Sequence, residues 1–392
     1  MKVGARSLPS EGQAYASPPP ARRHRAAAMI VVALILLSAF IVAAPYLSSG
    51  LKQGYSFISG LEGAGTATGG TTPGNPNGGF VTSTNCSDLV SVQALGSPNI
   101  NGSRAAISYP LDYCTLAAYA LSQINADRAS NGSAPVSLGF NQAAQQHADS
   151  MLYYGYFAHF DVQGYKPYMR YSLLGGRGAD SENVAYLSYS LSHYTSTSAV
   201  EQAIQFLEHS MMYNDAACCN NGHRDNILNP LHNVVSIGVA YNGTHVFFDE
   251  EFENDYIALN FSATGPIGPN PYYVTMQGAP ISGTPKPNSI YIGFDGTPSS
   301  QTPSQLNSAP HDYGPGTLVG GVLPPSGIFG CGQFTTGTTV CADRWTFTSS
   351  TVSISFSLEP FIKDYGPGVY TVYLITGSST DSALTTISVF AP

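Results

Sequence analysis

The chain has 392 residues, enough for two or three domains, and its 43% hydrophobic content excludes a wholly disordered protein. Charged residues make up 10% and the formal net charge is −9, with lysine and arginine clustered only in the first 25 residues. This balance argues against nucleic acid as a partner, because neutralising its phosphates needs clustered basic side chains.

Residues 26–44 form an apolar run close to the roughly 20 residues that cross a bilayer core. Arg22, Arg23 and Arg25 precede it, so the positive-inside rule predicts a cytoplasmic tail (1–25), a transmembrane anchor and an extracellular remainder in the cell membrane. The alternative is a signal peptide that is cleaved near Ala44 and releases a secreted protein. Export in either form fits the Asn-x-Ser/Thr glycosylation candidates, which are Asn85, Asn101, Asn131, Asn242 and Asn260.

Six cysteines follow the apolar run and suit an oxidising compartment; they are Cys86, Cys114, Cys218, Cys219, Cys331 and Cys341. We expect Cys86 to pair with Cys114, and Cys331 with Cys341 around a short loop. The adjacent Cys218 and Cys219 are expected to pair elsewhere, because a disulfide ring between neighbouring residues is strained. The sequence leaves the full connectivity open.

The next segment, residues 45–113, is predicted to be a Gly-, Thr- and Pro-rich extracellular spacer followed by a pre-domain segment. From Cys114 the apolar period becomes helical. It predicts one helix that ends at Asn131-Gly132, a second from Asn141 to Tyr154 and a third from Ser198, with a loop at 156–178. Residues 220–230 indicate a turn and a short helix capped by Asn221.

Two strands are predicted at 234–241 and 244–252, joined by the hairpin signal Asn242-Gly243. Residues 114–263 are thus expected to form an α+β domain. Beyond Pro266 short apolar runs alternate with Gly/Pro/Ser turns, which predicts an all-β immunoglobulin-like sandwich over 264–392 that folds separately.

Three residues in the first domain suit metal or acid–base chemistry. They are His159 in Ala158-His159-Phe160, Glu182 in Ser181-Glu182-Asn183 and His223 in Gly222-His223-Arg224. With Ala144-x-x-His147 before them and Ile237-Gly238-Val239 after them, this succession closely resembles the CAP superfamily in its prokaryotic SCP-like form, over about residues 114–262. The superfamily comprises the cysteine-rich secretory, antigen 5 and pathogenesis-related proteins.

The resemblance implies an α-β-α sandwich with a cleft lined by two histidines and two acidic residues. His159 and His223 match the histidines, and Glu182 matches the first acidic residue. The second is Glu208 or Ser210 on the third helix, where the usual tryptophan is missing. His159, His223 and Glu182 suit zinc or another divalent transition metal. His147 lies on an apolar helix face and is interpreted as a core histidine.

Catalytic residues are not identified, because the sequence contains neither a Gly-x-Ser-x-Gly elbow nor a His-Glu-x-x-His helix. An enzyme is therefore less expected than a membrane-anchored extracellular binding or adhesion protein, whose cleft takes a lipid-like or small ligand or a cell-surface partner. The alternative is a metal-dependent hydrolase of cell-envelope peptide or glycan. In a third reading the first domain is a spacer and the β-sandwich binds.

Overall fold

The computed structural model describes Cys86 and residues 109–309, 312–326 and 330–391. No helix within these ranges is long and apolar enough to span a membrane. The predicted anchor at 26–44 lies outside the described residues, as do the spacer and the glycosylation candidates Asn85 and Asn101. Asn131, Asn242 and Asn260 are exposed.

The N-terminal module contains six helices and the first four strands among the described residues. The helices are α1 (Tyr113–Ser130), α2 (Gln142–Tyr154), α3 (Pro167–Leu173), α4 (Thr197–Tyr213), α5 (Ala216–Cys219) and α6 (Gly222–Leu228). The strands are β1 (Ser137–Gly139), β2 (Ala179–Ser188), β3 (Val234–Tyr241) and β4 (His245–Asn254). They form one sheet in the order β1-β3-β4-β2, in which β2 is an edge strand.

Helices cover both faces of this sheet. On one face, α2 approaches so closely that a Cβ on Gly238 would lie 2.2 Å from the carbonyl oxygen of Ala144. On the other face, α1 and α4 bury Leu116 and Ile204 against Val235 of β3 and its neighbours. The module therefore has the mixed α+β composition expected from the sequence pattern and the helix–sheet–helix layering that the CAP resemblance implied.

Local signals set the predicted helix ends. The side chain of Asn141 accepts the Ala143 N–H at 2.9 Å at the start of α2, and Gly155 ends that helix in the left-handed region at φ 71°. The segment predicted as a loop contains α3, which starts at Pro167, where a proline costs no hydrogen bond. Asn221 makes no side-chain cap; Asp215 instead accepts the N–H groups of His223 at 2.9 Å and Arg224 at 3.2 Å.

The C-terminal module is built from two sheets. Its strands are β5 (Ile257–Ala263), β6 (Tyr273–Pro280), β7 (Ser289–Asp295), β8 (Thr317–Leu323), β9 (Thr338–Cys341), β10 (Arg344–Phe347), β11 (Val352–Ser357), β12 (Gly368–Ile375) and β13 (Ala383–Ala391). Two short helices, α7 (Pro303–Leu306) and α8 (Glu359–Tyr365), and a 3₁₀ turn (Thr380–Ser382) interrupt them.

The two sheets have the orders β10-β11-β6-β5 and β13-β12-β7-β8-β9, and their side chains form one hydrophobic core. Val274 and Ile354 of the first sheet join Ile292 and Val372 of the second in that core. Strand β5 pairs with β6, so the last residues of the predicted first domain belong to a C-terminal sheet. The immunoglobulin-like character of this module stays a prediction.

The two modules pack against each other within one compact unit. The Tyr168 hydroxyl of α3 donates to Asp295 Oδ2 at 2.6 Å, and Lys166 Nζ lies 2.8 Å from Asp295 Oδ1. Leu306 of α7 joins a buried cluster with Met151 and Tyr156 of the N-terminal module. Separate folding of the two modules stays a prediction.

Three disulfides join the six cysteines. Cys86 bonds Cys114, and Cys331 bonds Cys341, in the pairings expected from the sequence. Cys218 bonds its neighbour Cys219, which differs from the expectation that each would pair elsewhere. The physical reason is that the other four cysteines are already paired with each other.

Candidate functional site

The site is centred on Glu182, which is 3% exposed on the edge strand β2. Its Oε1 accepts hydrogen bonds from Arg170 Nη2 and lies 2.7 Å from His147 Nδ1. Its Oε2 lies 2.7 Å from His159 Nδ1. The sequence therefore identified two members of this group, Glu182 and His159, and the tertiary structure adds Arg170 from α3 and His147 from α2.

Glu182 is the ionised member of the site. Burial would raise its pKa, but the charges of Arg170 and His147 and the hydrogen bonds of both histidines hold the pKa well below its usual value. For His147 the balance is opposite: burial and the charge of Arg170 lower its pKa despite the nearby carboxylate. The stable arrangement at neutral pH is thus a carboxylate, a guanidinium and a neutral His147.

His147, Glu182 and Asp249 form a group that could hold a metal ion, since their donor atoms all lie within 4.8 Å of one another. The second oxygen of Asp249 and the Nε2 of His147 are buried and have no hydrogen-bond partner among the described residues. Such a donor set suits a divalent transition metal. However, Arg170 Nη2 lies 3.0 Å from His147 Nδ1, so a metal ion would have to displace the guanidinium.

Further buried carboxyl groups surround this group. Asp180, Glu251 and Glu253 lie on the same sheet face as Glu182, by the register of β2 with β4. Burial, followed by the charge of Glu182, raises the pKa of Glu251 to about 7, and burial raises that of Glu253 to about 7. Burial and the neighbouring Glu251 raise the pKa of Asp180 well above its usual value. Burial therefore favours the neutral, protonated form of these carboxyl groups.

The C-terminal module covers the His159–Glu182 pair. The backbone N–H of Glu182 donates to the Tyr313 hydroxyl at 2.7 Å, and the Tyr313 ring centroid lies 4.7 Å from that of His159. Nearby, Asn307 Oδ1 accepts the N–H of Phe157 at 2.8 Å. The side chain of His159 is 8% exposed as a result. Tyr313 therefore covers part of this pair.

His223 lies on the other side of the sheet. Glu182 and Asn183 are consecutive in β2, so their side chains point to opposite faces. Asn183 Nδ2 donates to the carbonyl oxygen of His223 at 3.3 Å, whereas the His223 imidazole Nδ1 lies 2.6 Å from Asp215 Oδ1. The predicted set of His159, Glu182 and His223 is thus divided between the two faces of the sheet. His159 lies with Glu182 on one face, whereas His223 lies with Asn183 on the other.

Glu208 and Ser210, the two candidates for the second acidic position, differ in their burial and hydrogen bonding. Glu208 of α4 is 1% exposed, and burial together with the adjacent Glu250 raises its pKa well above its usual value. Ser210 donates its hydroxyl to the Phe206 carbonyl at 2.8 Å within the same helix. Glu208 contacts Glu250 on the face opposite Glu182, so it belongs with neither metal-capable group in the described part of the chain.

Sequence reasoning missed His147, Arg170 and Asp249 as site residues. One signal was present: Asp249, Glu250 and Glu251 lie in the predicted strand 244–252, which follows a buried strand, and Glu253 comes directly after it. Carboxylates on a core strand are rare unless they are paired or protonated. That pattern could have indicated a buried acidic site with a cationic partner.

Residues 121–259 match the family model described as the cysteine-rich secretory protein family, CAP. The matched region covers the helices and strands that carry both metal-capable groups. The match supports the CAP superfamily for this module and with it the resemblance seen in the motifs. No curated protein matches the chain.

Proposed function

We propose that this chain is a membrane-anchored extracellular binding protein of the prokaryotic SCP-like kind, whose CAP module takes a lipid-like or small ligand or a cell-surface partner. The CAP match and the disulfides support an extracellular binding module. The arginines before the apolar run support the anchor. The exposed Asn131, Asn242 and Asn260 are open to glycosylation.

One observation carries the preference for binding over catalysis: both oxygens of the Glu182 carboxylate already have hydrogen-bond partners. Arg170 and His147 contact one oxygen and His159 the other, while Tyr313 lies over His159. A general base needs a free oxygen or nitrogen within hydrogen-bond reach of the reacting proton. Here catalysis would first require the exchange of a buried ion pair, whereas a binding module needs no such step.

The topology is tested first. A tag after Pro392 is expected to be removed when intact cells are treated with protease, while a tag at Met1 is spared, because basic residues keep the N-terminus inside. Immunoblots of both tags measure the outcome. Permeabilised cells, in which both tags are lost, provide the control. A mature N-terminus sequenced at or just after Ala44 would instead support the secreted form.

Binding and catalysis are separated by a second experiment on the purified protein. We expect native mass spectrometry to detect a retained lipid or small apolar ligand, and peptide and glycan substrates to stay intact when zinc is added. His159→Ala is expected to lower ligand retention several-fold, because it removes the histidine between Glu182 and Tyr313. His245→Ala is the matched control, since His245 contacts Thr244 away from this pair.

The second candidate is a metal-dependent hydrolase of cell-envelope peptide or glycan, favoured by the group of His147, Glu182 and Asp249. A divalent ion bound there would supply Lewis-acid polarisation of a carbonyl or glycosidic oxygen. In that case His159 would orient Glu182, and Tyr313 would exclude water from the site. Zinc-dependent turnover that is lost in His159→Ala and kept in His245→Ala would favour this candidate over the binding function.

A further inference from the structure

A second group of chemically active side chains lies at the end of α4, in a segment that the function proposed above does not use. Asn220 and Asn221, which join α5 to α6, have the left-handed φ values 53° and 64°. Two consecutive residues with positive φ are typical of a type I′ turn, which reverses the chain direction. The reversal brings His223, at the start of α6, back to Asp215, just before α5.

Four potential metal donors meet there: Asp215, Cys218, Cys219 and His223 have ligand atoms that all lie within 4.8 Å of one another. Asp215 Oδ1 is 2.6 Å from His223 Nδ1 and 3.6 Å from Cys218 Sγ. Asp215 is 2% exposed, whereas Cys218 is exposed and Cys219 and His223 are partly exposed. The group therefore has a buried carboxylate at its base and opens toward solvent at the sulfur atoms.

The donor types match a soft, four-coordinate site. Two thiolates, an imidazole and a carboxylate are the ligands that Zn²⁺ takes in tetrahedral geometry. In the structure the two sulfur atoms are joined to each other, and a disulfide sulfur carries no charge to offer a metal ion. The oxidised chain thus has only two of the four donors available.

Asp215 can serve the site without losing its structural role. Its Oδ2 accepts the backbone N–H groups of His223 and Arg224 at the start of α6, while Oδ1 faces the imidazole and Cys218. One oxygen can therefore stay on the helix while the other binds a metal ion. The segment already holds its donors together, so little reorganisation of the backbone is needed.

We propose that Asp215, Cys218, Cys219 and His223 form a redox-gated site for zinc or a similar soft divalent cation. Two thiols of a small reductant or a reduced dithiol protein donate two electrons and two protons to the Cys218–Cys219 disulfide, which breaks as the reductant's own disulfide forms. Binding of Zn²⁺ then releases the two thiol protons to water and forms two sulfur–metal bonds. The exposure of Cys218 gives the reductant access.

Cobalt(II) is the probe, because cobalt bound to thiolates has a sulfur-to-metal charge-transfer absorption. The full-length chain in detergent micelles is reduced with dithiothreitol, desalted without oxygen and titrated with cobalt. We expect one equivalent to bind with this absorption and zinc to displace it. The oxidised chain is expected to show no charge-transfer absorption.

The control is the double variant C218S/C219S, which keeps the other four cysteines and should lose the absorption after the same reduction. His223→Gln is expected to weaken cobalt binding at least about tenfold, since the loss of a residue that only orients a ligand already costs about 10–100-fold and here a ligand itself is lost. His147→Gln, which alters the other metal-capable group, should leave the absorption unchanged. Circular dichroism of each variant verifies that it is folded.

Three outcomes would overturn the proposal. The reduced chain takes up no cobalt, C218S/C219S retains the same absorption, or the oxidised chain binds cobalt through sulfur equally well. In the first case the adjacent disulfide is structural only. None of these outcomes bears on ligand retention at His159, so failure here is distinct from failure of the proposed binding function.

Discussion

Replacing Arg170 with methionine is expected to lower the free energy of unfolding by about 3–5 kcal/mol, the cost of leaving a buried charge without its partner. Arg170 is 2% exposed and donates to Glu182 and to the carbonyl oxygen of His159, the latter at 2.7 Å. The chain length of methionine keeps the volume of the side chain similar. The loss therefore reports charge and hydrogen bonds rather than a cavity.

Arg170→Met is also expected to change the protonation of Glu182. Without the guanidinium, burial would dominate, and Glu182 would take up a proton at a higher pH than it does with Arg170 present. We expect the variant to recover part of its stability as the pH is lowered toward 5, because protonation removes the unpaired charge. Urea unfolding at several pH values measures both effects.

Arg344→Met is the matched control, since Arg344 is exposed at the start of β10. A surface change of this kind is expected to stay within about 0.5 kcal/mol. If Arg170→Met were as mild as the control, the carboxyl groups around it would not depend on the guanidinium for neutralisation. Arg170 would then not be the residue that balances the charge of the site.

The second large effect is an acidic stability optimum: the thermal midpoint is expected to be about 5 °C or more higher at pH 5.5 than at pH 8. Glu251 and Glu253 have folded pKa values of about 7 against an ordinary value of 4.5. Between these values the folded chain holds protons that the unfolded chain has released. The stabilisation contributed by Glu251 and Glu253 is complete below pH 4.5 and is lost as the pH rises through 7.

Two buried histidines oppose this trend. Burial lowers the pKa of His147, and it lowers that of His232 to about 4, so both make the folded state less stable as the pH falls below 6.5. The raised carboxyl groups, which include Asp180, Asp249 and Glu208, outnumber them. Each pKa unit is worth about 1.4 kcal/mol, and each kcal/mol about 2–4 °C in a domain of this size.

Glu251→Gln combined with Glu253→Gln tests the assignment, because glutamine imitates the protonated carboxyl group. The double variant is expected to be more stable than the wild type at pH 8 and to have a weaker pH dependence, since only Asp180, Asp249, Glu208 and other raised carboxyl groups remain to titrate. Differential scanning calorimetry from pH 5 to 8 measures it. A wild-type midpoint that rises between pH 5.5 and 8 would mean that these carboxyl groups are ionised and paired in the fold.

The sequence by itself determined the elements whose signals are local. The cap at Asn141 and the left-handed Gly155 set the ends of α2, and the Asn242-Gly243 turn joined β3 to β4, because such signals act within a few residues. The order of the CAP motifs likewise needed no structure. The Cys86–Cys114 and Cys331–Cys341 pairs expected from the sequence are also the pairs found in the structure.

Only the tertiary structure decided which motif residues meet. Side chains alternate along β2, so Glu182 lies on one face of the sheet and Asn183 on the other. Because His159 contacts Glu182 and His223 contacts Asn183, the two histidines are separated. Arg170 entered the site from α3, and Tyr313 covered it from a module more than a hundred residues further along the chain. Such encounters depend on how helices and sheets pack, and no spacing along the chain encodes them.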